Sequence, residues 1–533
     1  MFEGRSFLRK RGLRLLILGF LFVAAFCLRL YGIDNPPMDV ADSRQYHAAL
    51  LARGFYEWLL VGELETFPRD GILEPPILEL AASFAYRILG GEHLWIPRFL
   101  STVFWMIGGV FLYLIAKKII SPSAALFSVF FFLFVPYGVF ASRAFMPDPL
   151  MVMLLLISIF AILRYHEQPS TRRLVIAAVA SSLAVFVKPV MCLFQLFVVF
   201  ISLAVYRRGV WRSLTSLHLL MFMALSVLPT AFYYLYGMFY AGFLRTQTPA
   251  ERYVPGIIFE EFFWVGWGEM LGGRVVGYTA LAGALLGAIL LFRKGLPRAL
   301  MIGLWGGYFL FGLVFTYHIH THGYYSLQLI PVVALSLGPA WDVAAGYIGR
   351  RDQQNYRRAL VLGLVVLAVV FAAVEQRTTI FGIAQQAGGA KPFSGKYLGS
   401  ALIADYGARA RTYREIGEIV GHSPRTIFSA PDFGYPLLYH GRLDGEYWPT
   451  PVMMKWWQSR GRTEAHLRGA TTRRELFDIW YADTSPEYFI VIKPEGWKND
   501  RQLRRLLTRH FPRVAKDRDY LVFDLQEGDY QPK

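Results

Sequence analysis

From residue 14 to residue 376 the sequence alternates runs of about 20 mainly apolar residues with short polar breaks, and this alternation restricts the fold more than any other feature. Backbone in lipid has to satisfy its N–H and C=O groups internally, so runs of this length are expected to be membrane-spanning helices. About eleven spans are predicted, at 14–33, 95–116, 122–140, 148–164, 173–188, 189–206, 214–238, 275–292, 299–317, 324–347 and 359–376. The pair meeting at Lys188-Pro189 could instead be one kinked helix. With 55% hydrophobic residues in 533, the chain is too apolar for a soluble protein of this length.

The net charge of +17 does not point to nucleic acid, because the basic residues sit in short clusters between apolar runs. Arg9 to Arg11, Lys117-Lys118, Arg172-Arg173, Arg207-Arg208, Arg293-Lys294 and Arg350-Arg351 fall on every second break. The positive-inside bias therefore places the N-terminus in the cytoplasm, while the intervening short loops carry little beyond Arg143 and Lys188. The basic start followed by a long apolar run, with no A-x-A-like site, reads as a first span rather than a cleaved signal peptide. Cys27 follows the bulky Phe26, against a lipoprotein site, and both Cys27 and Cys192 lie in apolar spans, so no disulfide framework is expected.

Two outer regions are long enough for chemistry. In loop 34–94, residues 43–59 and 77–90 have helical periodicity and read as helices in the membrane interface. Region 239–273 is aromatic and reads as a lid or acceptor platform. Beyond 377 the pattern changes: RTIFSA, YFIVIKP and YLVFDL read as strands, TRRELFDIWYA and DRQLRRLLTRH as helices. The expected architecture is a polytopic α-helical membrane module, 1–376, followed by a small extracytoplasmic α/β domain, 377–533.

On that topology Asp39, Asp42, Arg44, Glu74, Arg143, Asp148, Lys188, His318, His320 and His322 all fall at outer span ends or in outer loops, where one cavity could collect them. Asp42 precedes Gln45 by three residues, the spacing of a capping box, whereas Asp39 follows a stiff Pro36-Pro37 pair and has no capping duty. Asp39 is thus the better positioned carboxylate. Asp148 before Pro149 suits a helix start, and Arg143 could pair with it or hold a phosphate. Lys188 opposes the charge bias of its side, which favours an anionic ligand over snorkelling. Glu74 before Pro75-Pro76 suits a helix dipole or a substrate equally. In HIHTHGYY, His318 and His322 have the i, i+4 spacing of a metal pair without an evident carboxylate partner. Hydrogen bonding by His322, Tyr324 and Tyr325 to substrate is the stronger expectation, and a divalent metal is left open.

Asp39 with RQYHAALLARGFY behind it, EPPI at 74–77, SRAFMPDPLMV at 142–152, KP at 188–189 and THGYYSLQLIP at 321–331 together resemble the GT-C glycosyltransferases. The likeness is to the dolichyl-phosphate-mannose protein mannosyltransferases, glycosyltransferase family 39, and to the lipid A aminoarabinose transferases, over about residues 10–340. It implies an inverting transfer from a polyprenyl-phosphate-linked sugar to a glycan, lipid or protein acceptor at the outer face of the membrane, and the compact cytoplasmic loops lead to the expectation of a bacterial plasma membrane rather than the ER. It also implies a catalytic base at Asp39, with Asp42 in reserve because Val40 stands where the family often has Glu, and a second acidic residue at Asp148. Arg143 and Lys188, and with them Arg44, match basic residues near the lipid phosphate, and Glu74 is a substrate-side candidate. The rival expectation is a transporter or flippase for a lipid-linked sugar, which would carry its ionisable groups near the bilayer midplane.

Overall fold

The computed structural model describes residues 11–62, 72, 74–244, 254–291, 295–349, 355–377, 406–459, 463–492 and 500–531. The chain divides into two compact units, Met1–Asp34 with Phe55–Ile403, and Asn35–Gly54 with Ala404–Lys533.

The first unit is helical. Among the described residues seven helices are long and apolar enough to cross a membrane, or eight if the bent pair Glu261–Val275 and Tyr278–Leu291 is one span. Helices occupy the other expected positions too, but Pro122–Phe134 and Ala359–Glu375 are shorter apolar helices and Thr171–Val187 has 17 residues. Outward side chains such as Phe20, Leu228, Phe232 and Leu286 are exposed, as a lipid-facing surface requires. Inside, small residues let helices approach: a Cβ on Gly303 would meet Val199 Cα at 2.6 Å, and one on Gly307 would meet Gln195 Cα at 2.5 Å. These glycines seat helix Gly295–Val314 against Pro189–Arg208 in the manner of small-residue membrane interfaces.

Lys188 separates two helices rather than kinking one. Proline disfavours helical backbone in the residue before it, and Lys188 is extended (φ −152°, ψ 85°) between Thr171–Val187 and Pro189–Arg208. Pro189 occupies the first turn of the next helix, where its missing N–H costs nothing. Asp148 likewise opens helix Asp148–Glu167 with Pro149 behind it.

The second unit is a mixed sheet with helices. Its strands are β1 (Thr426–Ser429), β2 (Gly445–Tyr447), β3 (Tyr488–Ile492), β4 (Arg513–Lys516) and β5 (Tyr520–Asp524), in the order β2-β1-β3-β5-β4. β1 pairs in parallel with β2 and β3, while β5 runs antiparallel to β3 and β4. The expected strands are β1, β3 and β5, and the expected helices are Arg473–Thr484 and Arg501–His510. The edge strands β2 and β4 lack a hydrophobic alternation that would reveal them in the sequence. Trp448, Phe477, Trp480, Phe489, Leu503 and Leu507 fill the core.

Candidate active site

In the first unit three separated segments meet at one ion pair. Lys188 Nζ donates to Asp148 Oδ1 at 2.6 Å, with side-chain exposures of 5% and 0%. The ammonium also stands 5.3 Å from the ring centre of Tyr324 and 5.2 Å from that of Tyr325, so two π faces share its charge. Lys188 therefore does not snorkel: the backbone break that ends its helix turns the side chain into the protein. Tyr324 and Tyr325 lie in a short 3-10 turn, Gly323–Ser326, ahead of helix Leu329–Gly349. His318 and His322 join the same aromatic stack, with ring centres 5.5 Å apart, His318 being 5.0 Å from Tyr325 and His322 5.5 Å from Tyr324. His322 Nδ1 pairs with the Thr321 hydroxyl at 2.7 Å, and His320 Nδ1 with the Thr316 carbonyl at 2.7 Å. Among the described residues no group of three or more His, Cys, Asp or Glu is arranged to hold a metal ion.

Arg143 donates to the Tyr31 carbonyl at 2.7 Å and lies over the Phe140 ring, 5.4 Å from its centre. Arg98 donates to the Ile33 carbonyl at 2.8 Å. Two arginines thus hold the chain as it leaves the first helix. Glu74 is half-buried, and its charge, with that of Glu79, acts on Tyr233.

Asp39, Asp42 and Arg44 belong to the second unit. Asp39 is buried, and its Oδ1 accepts from its neighbour Val40 N–H and from Gln45 Nε2, both at 3.1 Å. Gln45 Nε2 also reaches the Val40 carbonyl at 2.7 Å and the Pro37 carbonyl at 3.3 Å. This corrects the capping box expected at Asp42 and Gln45: Ala41, at φ 47°, takes the cap position, its one carbonyl accepting from Arg44 N–H and Gln45 N–H at the start of helix Asp42–Val61, and the Gln45 amide clamps the Pro37–Val40 turn. Asp42 faces Arg409 (4.0 Å) and hydrogen-bonds Asp432, and Arg409 lies 3.5 Å from Asp432. Burial, then the Asp432 charge, pushes the Asp42 carboxyl up to about 7. Arg44 acts on the half-buried Tyr435. The same helix is tied down by Tyr46 Oη to His440 Nε2 (2.7 Å) and by Arg53, which donates to the Tyr439 carbonyl (3.0 Å) and stacks over its ring (4.1 Å). Burial, then Arg414 and Arg53, holds His440 down at about 4, so this tie uses a neutral imidazole at neutral pH.

Two residues escaped the sequence reading. A Cβ on Gly323 would stand 3.0 Å from Tyr137 Oη and 3.2 Å from Arg274 Cδ, so both side chains press on the turn that carries Tyr324 and Tyr325. The charges of Arg274 and Asp148 both act on Tyr137, which places the three close together. Arg274 sits at the outer boundary of a predicted span, and the argument that singled out Lys188, a cation against the bias of its side, applies to it equally. Tyr137 had no such signal.

Residues 73–234 match the family model described as dolichyl-phosphate-mannose-protein mannosyltransferase, a stretch that includes Glu74, Arg143, Asp148 and Lys188. No curated protein matches the chain by sequence. Among solved structures, ArnT from Cupriavidus metallidurans bound to undecaprenyl phosphate is similar with a TM-score of 0.58 at 16% identity, over 95% of this chain and 98% of that one. Its apo state gives 0.56 at 17% identity, over 95% and 97%. The Archaeoglobus fulgidus oligosaccharyltransferase in the apo form gives 0.54 at 13% identity, over 92% of this chain and 70% of that one. The chain shares the fold of these solved proteins, with multiple apolar helices and, among the described residues, a small C-terminal sheet.

Proposed function

We propose that this protein is an inverting glycosyltransferase that moves a sugar from a polyprenyl-phosphate donor to an acceptor hydroxyl at the outer face of the membrane. The observation that carries the reading is the buried Lys188–Asp148 pair under Tyr324 and Tyr325, its two ions lying in the segment that matches the dolichyl-phosphate-mannose-protein mannosyltransferase model and on a fold shared with an undecaprenyl-phosphate-bound protein.

The acceptor oxygen attacks the anomeric carbon as the bond from that carbon to the phosphate oxygen breaks. A hydroxyl is a weak nucleophile, so a carboxylate in line with the reacting bond takes its proton, and Asp39 has that role. The Gln45 and Val40 bonds to Oδ1 fix the carboxylate plane in advance. Charge gathers on the leaving polyprenyl phosphate, where Lys188, Arg274 and Arg143 supply fixed cations without proton transfer. Asp148 acts through Lys188 by holding the ammonium in place. Glu74 and His322 serve the acceptor and sugar, Tyr324 and Tyr325 wall the donor side, and Arg44 is a further cation for the donor phosphate. The active site and the C-terminal unit face outward, as the basic loops indicate.

The test is to incubate purified protein in bilayers with labelled undecaprenyl-phosphate sugars and an envelope extract, then identify the product by mass spectrometry. Label covalently attached to a new acceptor is expected. Translocation of the intact donor without transfer would make the protein a flippase.

A further inference from the structure

Gln328 is wholly buried, and neither its amide nitrogen nor its amide oxygen has a hydrogen-bond partner among the described residues. Its neighbours differ in this respect: the Ser326 hydroxyl pairs with Tyr308 Oη at 2.8 Å, and Tyr308 accepts from Trp267 Nε1 at 3.2 Å. A carboxamide offers two donors and two acceptor lone pairs, so leaving all of them unmet inside a membrane protein is costly unless something else arrives to use them.

The position says what arrives. Leu327 N–H donates to the Tyr324 carbonyl and Ile330 N–H to the Leu327 carbonyl, so residues 324 to 330 wind through two successive turns that lead into helix Leu329–Gly349. Residues three and four apart are neighbours on such a turn, which sets Gln328 beside Tyr325 and Tyr324, the rings against Lys188. A phosphate is acceptor only; it could use the amide N–H groups but would leave the carbonyl unmet, and the phosphate already has Lys188. A sugar hydroxyl both donates and accepts, and a pair of them completes a carboxamide.

We propose that Gln328 is a specificity-determining contact to ring hydroxyls of the donor sugar. This rests on the reading of the chain as a polyprenyl-phosphate-sugar transferase.

The experiment compares the full-length wild-type protein with Gln328→Leu and Gln328→Glu in nanodiscs, by thermal melting, by binding of sugar-free undecaprenyl phosphate, and by transfer from an undecaprenyl-phosphate sugar that the wild type uses. Gln328→Leu is expected to melt at or above the wild-type temperature and to bind undecaprenyl phosphate within about twofold of wild type. Its kcat/KM for the sugar donor is expected to fall about tenfold or more. A deoxy donor lacking the contacted hydroxyl should cost the wild type a similar factor and cost Gln328→Leu nothing further. Gln328→Glu, which keeps the acceptor but loses the amide N–H, should fall between the two on the intact donor. Unchanged donor kinetics with a lowered melting temperature would mean that the amide is completed by a buried water, and would overturn the proposal. Equal loss of undecaprenyl phosphate binding and of transfer would overturn it as well, since the residue would then act on the phosphate site. If the wild type neither binds undecaprenyl phosphate nor transfers sugar, the donor assignment itself fails and this inference with it.

Discussion

Lys188 and Asp148, forty residues apart in the chain, form a hydrogen-bonded ion pair that is almost fully removed from solvent, with two tyrosine rings on the ammonium. Such a pair is weak evidence for stability, because both ions give up their hydration, but breaking it is expensive.

Lys188→Met and Asp148→Asn, made singly, are each expected to destabilise the protein by about 3–5 kcal/mol, since each removes one partner of a buried ion pair. The double variant should recover much of that stability and none of the transfer activity. Thermal melting in detergent alongside transfer kinetics checks this. A double variant that regains activity together with stability would show that the pair is purely structural.

Asp39→Asn is expected to lower kcat by about 10²–10⁴-fold while expression and membrane insertion stay normal. Gln45→Leu, which removes the clamp on the Asp39 turn, should lower kcat less and leave donor KM unchanged, because it only loosens the carboxylate. Steady-state kinetics on matched preparations distinguish the two. Near-wild-type turnover in Asp39→Asn would shift the base to Asp42.

Asp42 supplies a pH dependence with a definite sign. Its carboxyl is raised to about 7 in the folded protein, above the usual unfolded value of about 4, so the folded state holds the proton more tightly. Stability from this group is complete below about pH 4 and is lost as pH rises to about 7. Asp42→Asn, neutral throughout, should match wild type near pH 4 and be the more stable of the two near pH 8. Melting curves across that range are the check, and an Asn variant no more stable than wild type at the alkaline end would count against the Asp42–Asp432 contact.

Gly323→Ala tests the turn. A Cβ there meets Tyr137 Oη at 3.0 Å and Arg274 Cδ at 3.2 Å, so one of them, or the turn, has to yield by a few tenths of an ångström. Transfer is expected to drop several-fold with little change in melting temperature, since displaced positioning costs rate more than stability. Wild-type kinetics in this variant would mean that Arg274 and Tyr137 can move aside without consequence for the site.

The sequence by itself determined that the chain is a helical, multi-pass membrane protein, because hydrophobic length is a local quantity written along the chain, while against its eleven expected spans stand seven or eight helices of spanning length among the described residues. It also marked β1, β3 and β5 through their apolar runs, and it marked Asp39, Asp148 and Lys188 through proline punctuation and charge that opposes the bias of its side. Partnership was decided only by the tertiary structure. Asp148 is held by Lys188, forty residues along the chain; Asp42 could have capped its own helix with Gln45 but meets Asp432 and Arg409, while Gln45 turns back to clamp Asp39. Arg274 and Tyr137 come up against the turn that carries Tyr324 and Tyr325 at Gly323, where no side chain stands between them and the backbone. A buried charge or amide takes its partner from whichever group the packing brings within about 3 Å, and that distance depends on segments hundreds of residues away that no local pattern encodes.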